Sequence, residues 1–404
     1  MAVSEMMLEY MERFSWIRRM FEEGARLKSI HGAANVFDFS LGNPDVPPPR
    51  GALEKAAEIL MRMDHGYMPN AGFADVREAL AGYASGLYQV PLTGDDIVMT
   101  CGAGGGLNVV LKAITNPGDE IVAIAPYFVE YGFYAENHGG VLVEAQCGPD
   151  FLPGMENIRR ALSPRTRAII VNSPNNPTGR VYPEEVFTGL AEVLKDRPEV
   201  LVISDEPYRK LVYDNRVVPS VLRLIPNSVV VTSASKELSL PGQRIGYIAT
   251  GSGVPDKQRF ISALGLATRI LGFVNAPSLM QKVYASCLCE GECVPVASYR
   301  QRRDLLSRIM DEAGLTYVPS EGAFYLFVKS PLEDDVAFCA ELVKEKILAV
   351  PGKGFGYPGY VRFAYCVSME TIQGCAPGLK RVVAGIRESR TRHTPRPGTG
   401  KHAV

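Results

Sequence analysis

A mainly parallel seven-stranded α/β sheet, sandwiched by helices and joined to a smaller α+β domain, is the fold this 404-residue sequence predicts. Three observations carry that prediction. Short apolar runs recur at 97–100, 120–125, 141–146, 167–172, 200–204, 228–233 and 244–250. Helix-period stretches such as 104–114, 155–162 and 183–195 lie between them, as right-handed crossovers between parallel strands require. After about residue 295 the alternation stops and a different pattern begins.

Taken in order, residues 5–28 place Met7, Met11, Phe14, Ile17 and Phe21 three or four positions apart with charge between them, the period of an amphipathic helix. Val36 to Gly42 reads as a short strand or extended piece and ends at the breaker Pro47-Pro-Pro49. The seven runs follow. The last comes too soon after its predecessor for a crossover helix, so it is expected to run antiparallel. Beyond 295 come a charged helix from Tyr299 to Glu312, an apolar run from Ala323 to Val328, a helix at 335–346, a run from Tyr360 to Ala364 and a last helix at 370–388. Ser389 to Val404 has four Lys or Arg and almost no apolar residues, which reads as a disordered tail. The expected division is an N-terminal arm and part of the small domain at 1–49, a large domain at 50–294, the C-terminal small domain at 295–388, and the tail at 389–404.

Composition excludes several classes. With 46% hydrophobic and 22% charged residues the chain is globular, and it is too long for one ordinary core. A net charge of −1 offers no basic face, so no nucleic-acid partner is expected. The glutamates at 5, 9 and 12 are unlike a secretory signal, and no apolar window is long enough for a membrane span. Eight cysteines without framework spacing point to reduced thiols and a cytoplasmic location. Cys287, Cys289 and Cys293 lack a second CxxC or a histidine pair, so no metal is expected.

The chemistry sits at the ends of the runs. Asp205 closes one, Lys236 follows another, Asn176 follows a third, and the cluster Gly102-Ala-Gly-Gly-Gly106 follows a fourth. Open parallel sheets bind ligands at the carboxyl ends of their strands, so these positions describe one site. Taken singly, each has a bland reading: a strand-end lysine is usually exposed, an aspartate there caps a helix, and Asn-Pro-Thr-Gly is a turn. Together they ask for more. A lysine buried near Arg244 favours the free amine that builds a Schiff base, while Ser233, Ser235 and Arg244 suit a phosphate. Glycines at a helix start expose N–H groups to an anion. Pyridoxal phosphate, an aldehyde bearing a phosphate, meets both demands, with Asp205 facing its ring nitrogen and Asn176 and Tyr208 its phenolic oxygen.

The ordered series Leu41-Gly-Asn-Pro44, Tyr67-Met-Pro-Asn-Ala-Gly72, Gly102-Ala-Gly104, Pro126-Tyr-Phe-Val-Glu-Tyr131, Asn175-Asn-Pro-Thr-Gly179, Asp205-Glu-Pro-Tyr208, Ser233-Ala-Ser-Lys236, Arg244-Ile-Gly246, Glu321-Gly-Ala-Phe-Tyr325 and Val361-Arg-Phe-Ala364 resembles the fold-type-I pyridoxal-phosphate aminotransferases of class I/II, over about residues 30 to 388. The resemblance implies a homodimer that moves an amino group from an L-amino acid to a 2-oxo acid such as 2-oxoglutarate by a ping-pong mechanism. Lys236 would be its Schiff-base lysine and proton shuttle, and Asp205 and Tyr208 would complete the catalytic set. Gly102, Ala103, Gly104, Ser233, Ser235 and Arg244 would hold the phosphate, with Tyr67 reaching that of the neighbouring subunit. Arg362 would clamp the substrate carboxylate, with Gly42 and Asn176 beside it. Phe128 stands at the ring-stacking position where aspartate-type members usually carry tryptophan, which keeps the stacking but loses an N–H donor and leaves the substrate open.

Rival readings stay open at this point. A carbon–sulfur β-lyase or a cyclopropane-forming synthase on the same scaffold needs the same Lys236 and Asp205. A non-catalytic, cofactor-binding regulator would need a helix-turn-helix region for which the chain is expected to have no room. A plain binding protein leaves Lys236, Asp205 and Arg362 unexplained.

Overall fold

The structure, a computed structural model, describes residues 2–13 and 15–393. Its centre is a seven-stranded sheet: β1 Ile97–Thr100, β2 Glu120–Ala125, β3 Val141–Gln146, β4 Thr166–Asn172, β5 Leu201–Asp205, β6 Ser228–Ser233 and β7 Gly246–Thr250, in the order β1-β7-β6-β5-β4-β2-β3. The pairs among β2 to β6 are parallel, and β7 is antiparallel to both its neighbours, as its short connection predicted. Alternation along each strand divides the side chains between two cores. Val122, Ile169, Val202 and Val230 enter one, and Ile121, Ile170, Ile203 and Val231 enter the other. Covering both faces is what lets these strands be apolar throughout.

Several expected boundaries shift by a residue or two, and one of these shifts bears on the site. The seventh strand starts at Gly246, not at 244. A 3-10 turn, Pro241–Gln243, precedes it, and Arg244 takes the left-handed conformation, φ 48° and ψ 54°. A side chain in that region is strained, and such strain collects where position matters.

A second sheet holds β8 Tyr317–Val318, β9 Tyr325–Lys329, β10 Val350–Pro351 and β11 Tyr360–Ala364, with its own core of Phe324, Leu326, Phe338, Phe363 and Leu379. The N-terminal segment joins this unit. Phe37–Asp38 pairs in parallel with Ile347–Leu348, and Ala364 N–H donates to the Phe39 carbonyl at 2.9 Å. The predicted helix over 5–28 forms as Glu5–Arg13 and Ser15–His31, while Met7 and Met11 remain exposed. The final helix, Met369–His393, enters the stretch expected to be tail, and 394–404 lie outside the described residues. No helix among the described residues is long and apolar enough to cross a membrane.

Candidate active site

Sheet geometry gathers the site. In register, Asn172 stands beside Asp205, and Gly246 stands between Thr100 and Ser233, so the carboxyl ends of β1, β4, β5 and β6 share one edge. Because β7 runs the other way, its amino end lies on that same edge. The reversal therefore brings Arg244 round to Lys236, which sits in the one-turn helix Ala234–Glu237.

Between this edge and the second sheet lies a cavity of about 300 Å³, lined among others by Gly42, Ala103, Phe128, Asn176, Asp205, Tyr208, Lys236 and Arg362. Gly104, Ser233, Ser235 and Arg244 line it too. Gly102 lies just behind, at φ +73°, where an added Cβ would stand 2.9 Å from Nη2 of Arg244. The positive φ calls for glycine there, and a larger residue would also displace the end of Arg244. Tyr67 alone of the predicted residues is elsewhere: it is 94% exposed, in a separate depression with His65 and Phe273.

Lys236 is half-buried and donates from Nζ to the Gly42 carbonyl at 2.6 Å. Loss of hydration brings its pKa down to about 8, with Arg362 and Arg244 adding to the fall against an opposing pull from Cys366. Asp205 is buried; its Oδ2 accepts from Tyr131 Oη at 2.5 Å, and its Oδ1 has no partner. Burial raises its pKa to about 7 against the lowering effect of the Tyr131 bond, with Glu206 adding to the rise. Asn172 ties the strand end by donating to the Asp205 carbonyl at 2.8 Å and accepting from Asn176 N–H at 2.7 Å.

Opposite stands Arg362, only 5% exposed. Its Nη1 donates to Asn176 Oδ1 at 3.0 Å and its Nη2 to the Ser40 carbonyl at 2.6 Å, while Nε is unpartnered. Tyr325 and Phe355 hold the guanidinium between their rings at 4.7 and 4.8 Å. Tyr208 and Tyr325 share a hydrogen bond of 2.7 Å, and an added Cβ on Gly42 would run into the Tyr325 hydroxyl.

Several residues at the cavity escaped sequence reasoning in their roles. Tyr131 holds Asp205, Tyr325 holds Tyr208 and flanks Arg362, and Tyr134 and Glu130 line the wall. Tyr131, Tyr325 and Glu130 lay inside runs quoted for their order, and nothing in the order said what each would touch.

The arrangement fits an anion at the Arg244 end, a basic ring nitrogen at Oδ1 of Asp205, a carbonyl carbon at Lys236 and a carboxylate at Arg362. The orphaned carboxylate oxygen and the glycine cradle are the observations that make the fit specific. Among the described residues no cluster of His, Cys, Asp or Glu could hold a metal ion. One consequence is measurable without catalysis. The folded-state pKa of Asp205 is raised from 3.8 to about 7, so its contribution to stability is complete below 3.8 and is lost as pH rises through 7. In protein stripped of small molecules, Asp205→Asn should remove that loss. Its Tm relative to wild type should therefore climb between these pH values, and parallel Tm–pH curves would contradict the assignment.

The comparisons with known proteins agree with this geometry. The family model for aminotransferases of class I and II matches residues 34–376. The aspartate/prephenate aminotransferase of Thermus thermophilus is 33% identical over 354 residues, which is 85% of this chain and 89% of that protein. The aspartate aminotransferase of Thermotoga maritima is 31% identical, covering 88% of this chain and 94% of its own. Among solved structures, an aminotransferase from Eubacterium rectale superposes with a TM-score of 0.91 at 36% identity, over 96% of this chain and 99% of that one. The Thermus thermophilus aspartate aminotransferase with maleate superposes at 0.82 and 30%, over 91% and 96%.

Proposed function

The chain belongs to the class I and II aminotransferases, fold-type-I enzymes that work with pyridoxal 5'-phosphate, and on that premise we propose the reaction its cavity serves. The amino group of an L-amino acid passes to a 2-oxo acid, 2-oxoglutarate being the acceptor to test first, in a ping-pong cycle. The observation that carries this reading is the pairing, across one cavity, of Lys236, which donates from Nζ to the Gly42 carbonyl and whose pKa burial lowers to about 8, with a buried aspartate whose Oδ1 is unpartnered.

When bound, pyridoxal phosphate supplies an aldehyde that takes up the donor's nitrogen and a ring that draws electrons from its α-carbon. Arg244, Ser233, Ser235 and the backbone of Gly102, Ala103 and Gly104 would hold its phosphate, and Phe128 would pack on its ring. Asp205, steadied by Tyr131, would keep a proton on the ring nitrogen, and Asn176 and Tyr208 would donate to the ring oxygen. Arg362 receives the α-carboxylate through a fork already oriented by Asn176 and Ser40, with Gly42 beside it. Lys236 then removes the Cα proton at Nζ, a role open to the free amine and closed to the ammonium. In protein freed of pyridoxal phosphate, the reactivity of Lys236 Nζ toward an acylating reagent is accordingly expected to rise with pH through about 8.

The same reading includes a homodimer in the cytoplasm. Tyr67 is exposed in a single chain, and Met61 at 85%, Leu266 at 59% and Ile270 at 58% are large apolar side chains that a second copy would cover. The test is direct: incubate the holoenzyme with a panel of L-amino acids and 2-oxoglutarate and assay glutamate. Glutamate formation from at least one donor is the expected result. Release of pyruvate and ammonia without an acceptor would replace transfer by elimination.

A further inference from the structure

The cavity is lined by five charged side chains, and the proposed reaction uses four. Arg244 meets the phosphate, Asp205 the ring nitrogen, Arg362 the α-carboxylate, and Lys236 the aldehyde. Glu130 is left over. It enters from the first turn of the helix Glu130–Glu136, two positions beyond Phe128, and its Oε2 is shut off from solvent with no hydrogen-bond partner. A shielded, unpartnered carboxyl oxygen costs stability unless something arrives to meet it.

We propose that Glu130 reads the far end of the substrate: as a carboxylate it accepts from donor amino acids whose side chains end in an ammonium or another hydrogen-bond donor, and as the neutral acid it donates to the distal carboxylate of a dicarboxylic oxo acid. This rests on the transamination reading, which orients the substrate by its α-carboxylate at Arg362.

The surroundings suit a group that works in both forms. Arg362 and Tyr325 face Glu130 from the second sheet and Tyr134 from its own helix, while Asp205, Lys236, Arg244 and Tyr208 line the same space from the large sheet. Burial raises its pKa to about 7, against a bond from its own backbone and the attraction of Arg362. Near neutrality, then, neither form is costly to reach. An arriving ammonium favours ionisation; an arriving carboxylate favours protonation, since two like charges in a desolvated cavity repel strongly. One residue thereby serves both half-reactions, where a fixed cation at that place would reject basic donors. Among the described residues the cations lining the cavity are Lys236, Arg244 and Arg362, each already engaged.

Two ligands with no amine to condense with the aldehyde test this on the full-length holoenzyme. Succinate and succinamate share a carboxylate for Arg362 and differ at the other end, a carboxylate in one and a hydrogen-bond-donating amide in the other. Calorimetry at about pH 8, in buffers of different ionisation enthalpy, should show succinate binding with uptake of about one proton and succinamate binding with none. Glu130→Gln, which is permanently neutral, should bind succinate without uptake and shift the affinity ratio toward succinate by on the order of tenfold. Equal proton uptake in both proteins, or an unchanged ratio, overturns the inference. Should the glutamine variant not fold, Glu130→Ala carries the same comparison. Turnover with 2-oxoglutarate is scored separately, so failure of transamination and failure of this role give different results.

Discussion

Replacing Lys236 by alanine is expected to lower single-turnover transamination by about 10⁴-fold or more while the protein still retains pyridoxal phosphate. The size follows from losing two proposed roles at once, the nitrogen that takes the aldehyde and the base that takes the Cα proton. Retention follows because the groups proposed to hold the phosphate and ring, Arg244, Ser233, Ser235, Asp205 and Phe128, sit on other positions of the sheet edge. Little structural damage is expected, since Nζ makes one bond, to the Gly42 carbonyl, and Lys236 is only half-buried. Rapid-mixing spectroscopy with a saturating donor measures the loss, and absorbance of the gel-filtered protein measures retention. A variant that transfers amino groups at the wild-type rate removes Lys236 from the mechanism.

Arg362→Ala should raise KM by about 10²-fold for every donor, because the carboxylate it is proposed to meet is common to all and a charge-assisted pair of hydrogen bonds contributes about 1.5–3 kcal/mol. Arg362→Lys should recover only part of this, having the charge without the fork. The alanine variant also strands buried acceptors on Asn176 and Ser40, at a cost of about 1–3 kcal/mol in stability. Thermal unfolding and steady-state kinetics on the same preparations separate the two effects. A KM change confined to one donor would instead move Arg362 to side-chain recognition.

How far these residues could be read from sequence depends on what fixed their positions. Asp205, Lys236 and Asn176 follow apolar runs, and strand ends in a parallel sheet converge by geometry, so their meeting was legible. The antiparallel seventh strand was legible too, from the shortness of its connection. What each side chain touches was not. Tyr131 reaches Asp205 across 74 residues of sequence, and Tyr208 meets Tyr325 across 117. The first pairing is set by how the helix Glu130–Glu136 packs on the large sheet and the second by how the two sheets meet, which periodicity does not encode. Glu130 was invisible for a different reason: a glutamate at a helix start ordinarily faces water, and only the shielding of its Oε2 in the cavity wall makes it unusual. The last helix was legible to 388, and only its extension to His393 was missed, because residues 389–393 include no apolar residue.

The reversal of β7 sets a limit on how this protein can change. Residues 237–243 must leave Lys236 and return Arg244 to the same edge, and Ala234 N–H is bonded to the Ile245 carbonyl at 3.1 Å across that return. Adding or deleting a single residue there would slip β7 against both neighbours and exchange its side chains between the two cores. That short span is therefore a ruler of fixed length, whereas turns on the far edge of the sheet are free to lengthen. Variation in size among proteins of this architecture should accumulate there and spare the ruler.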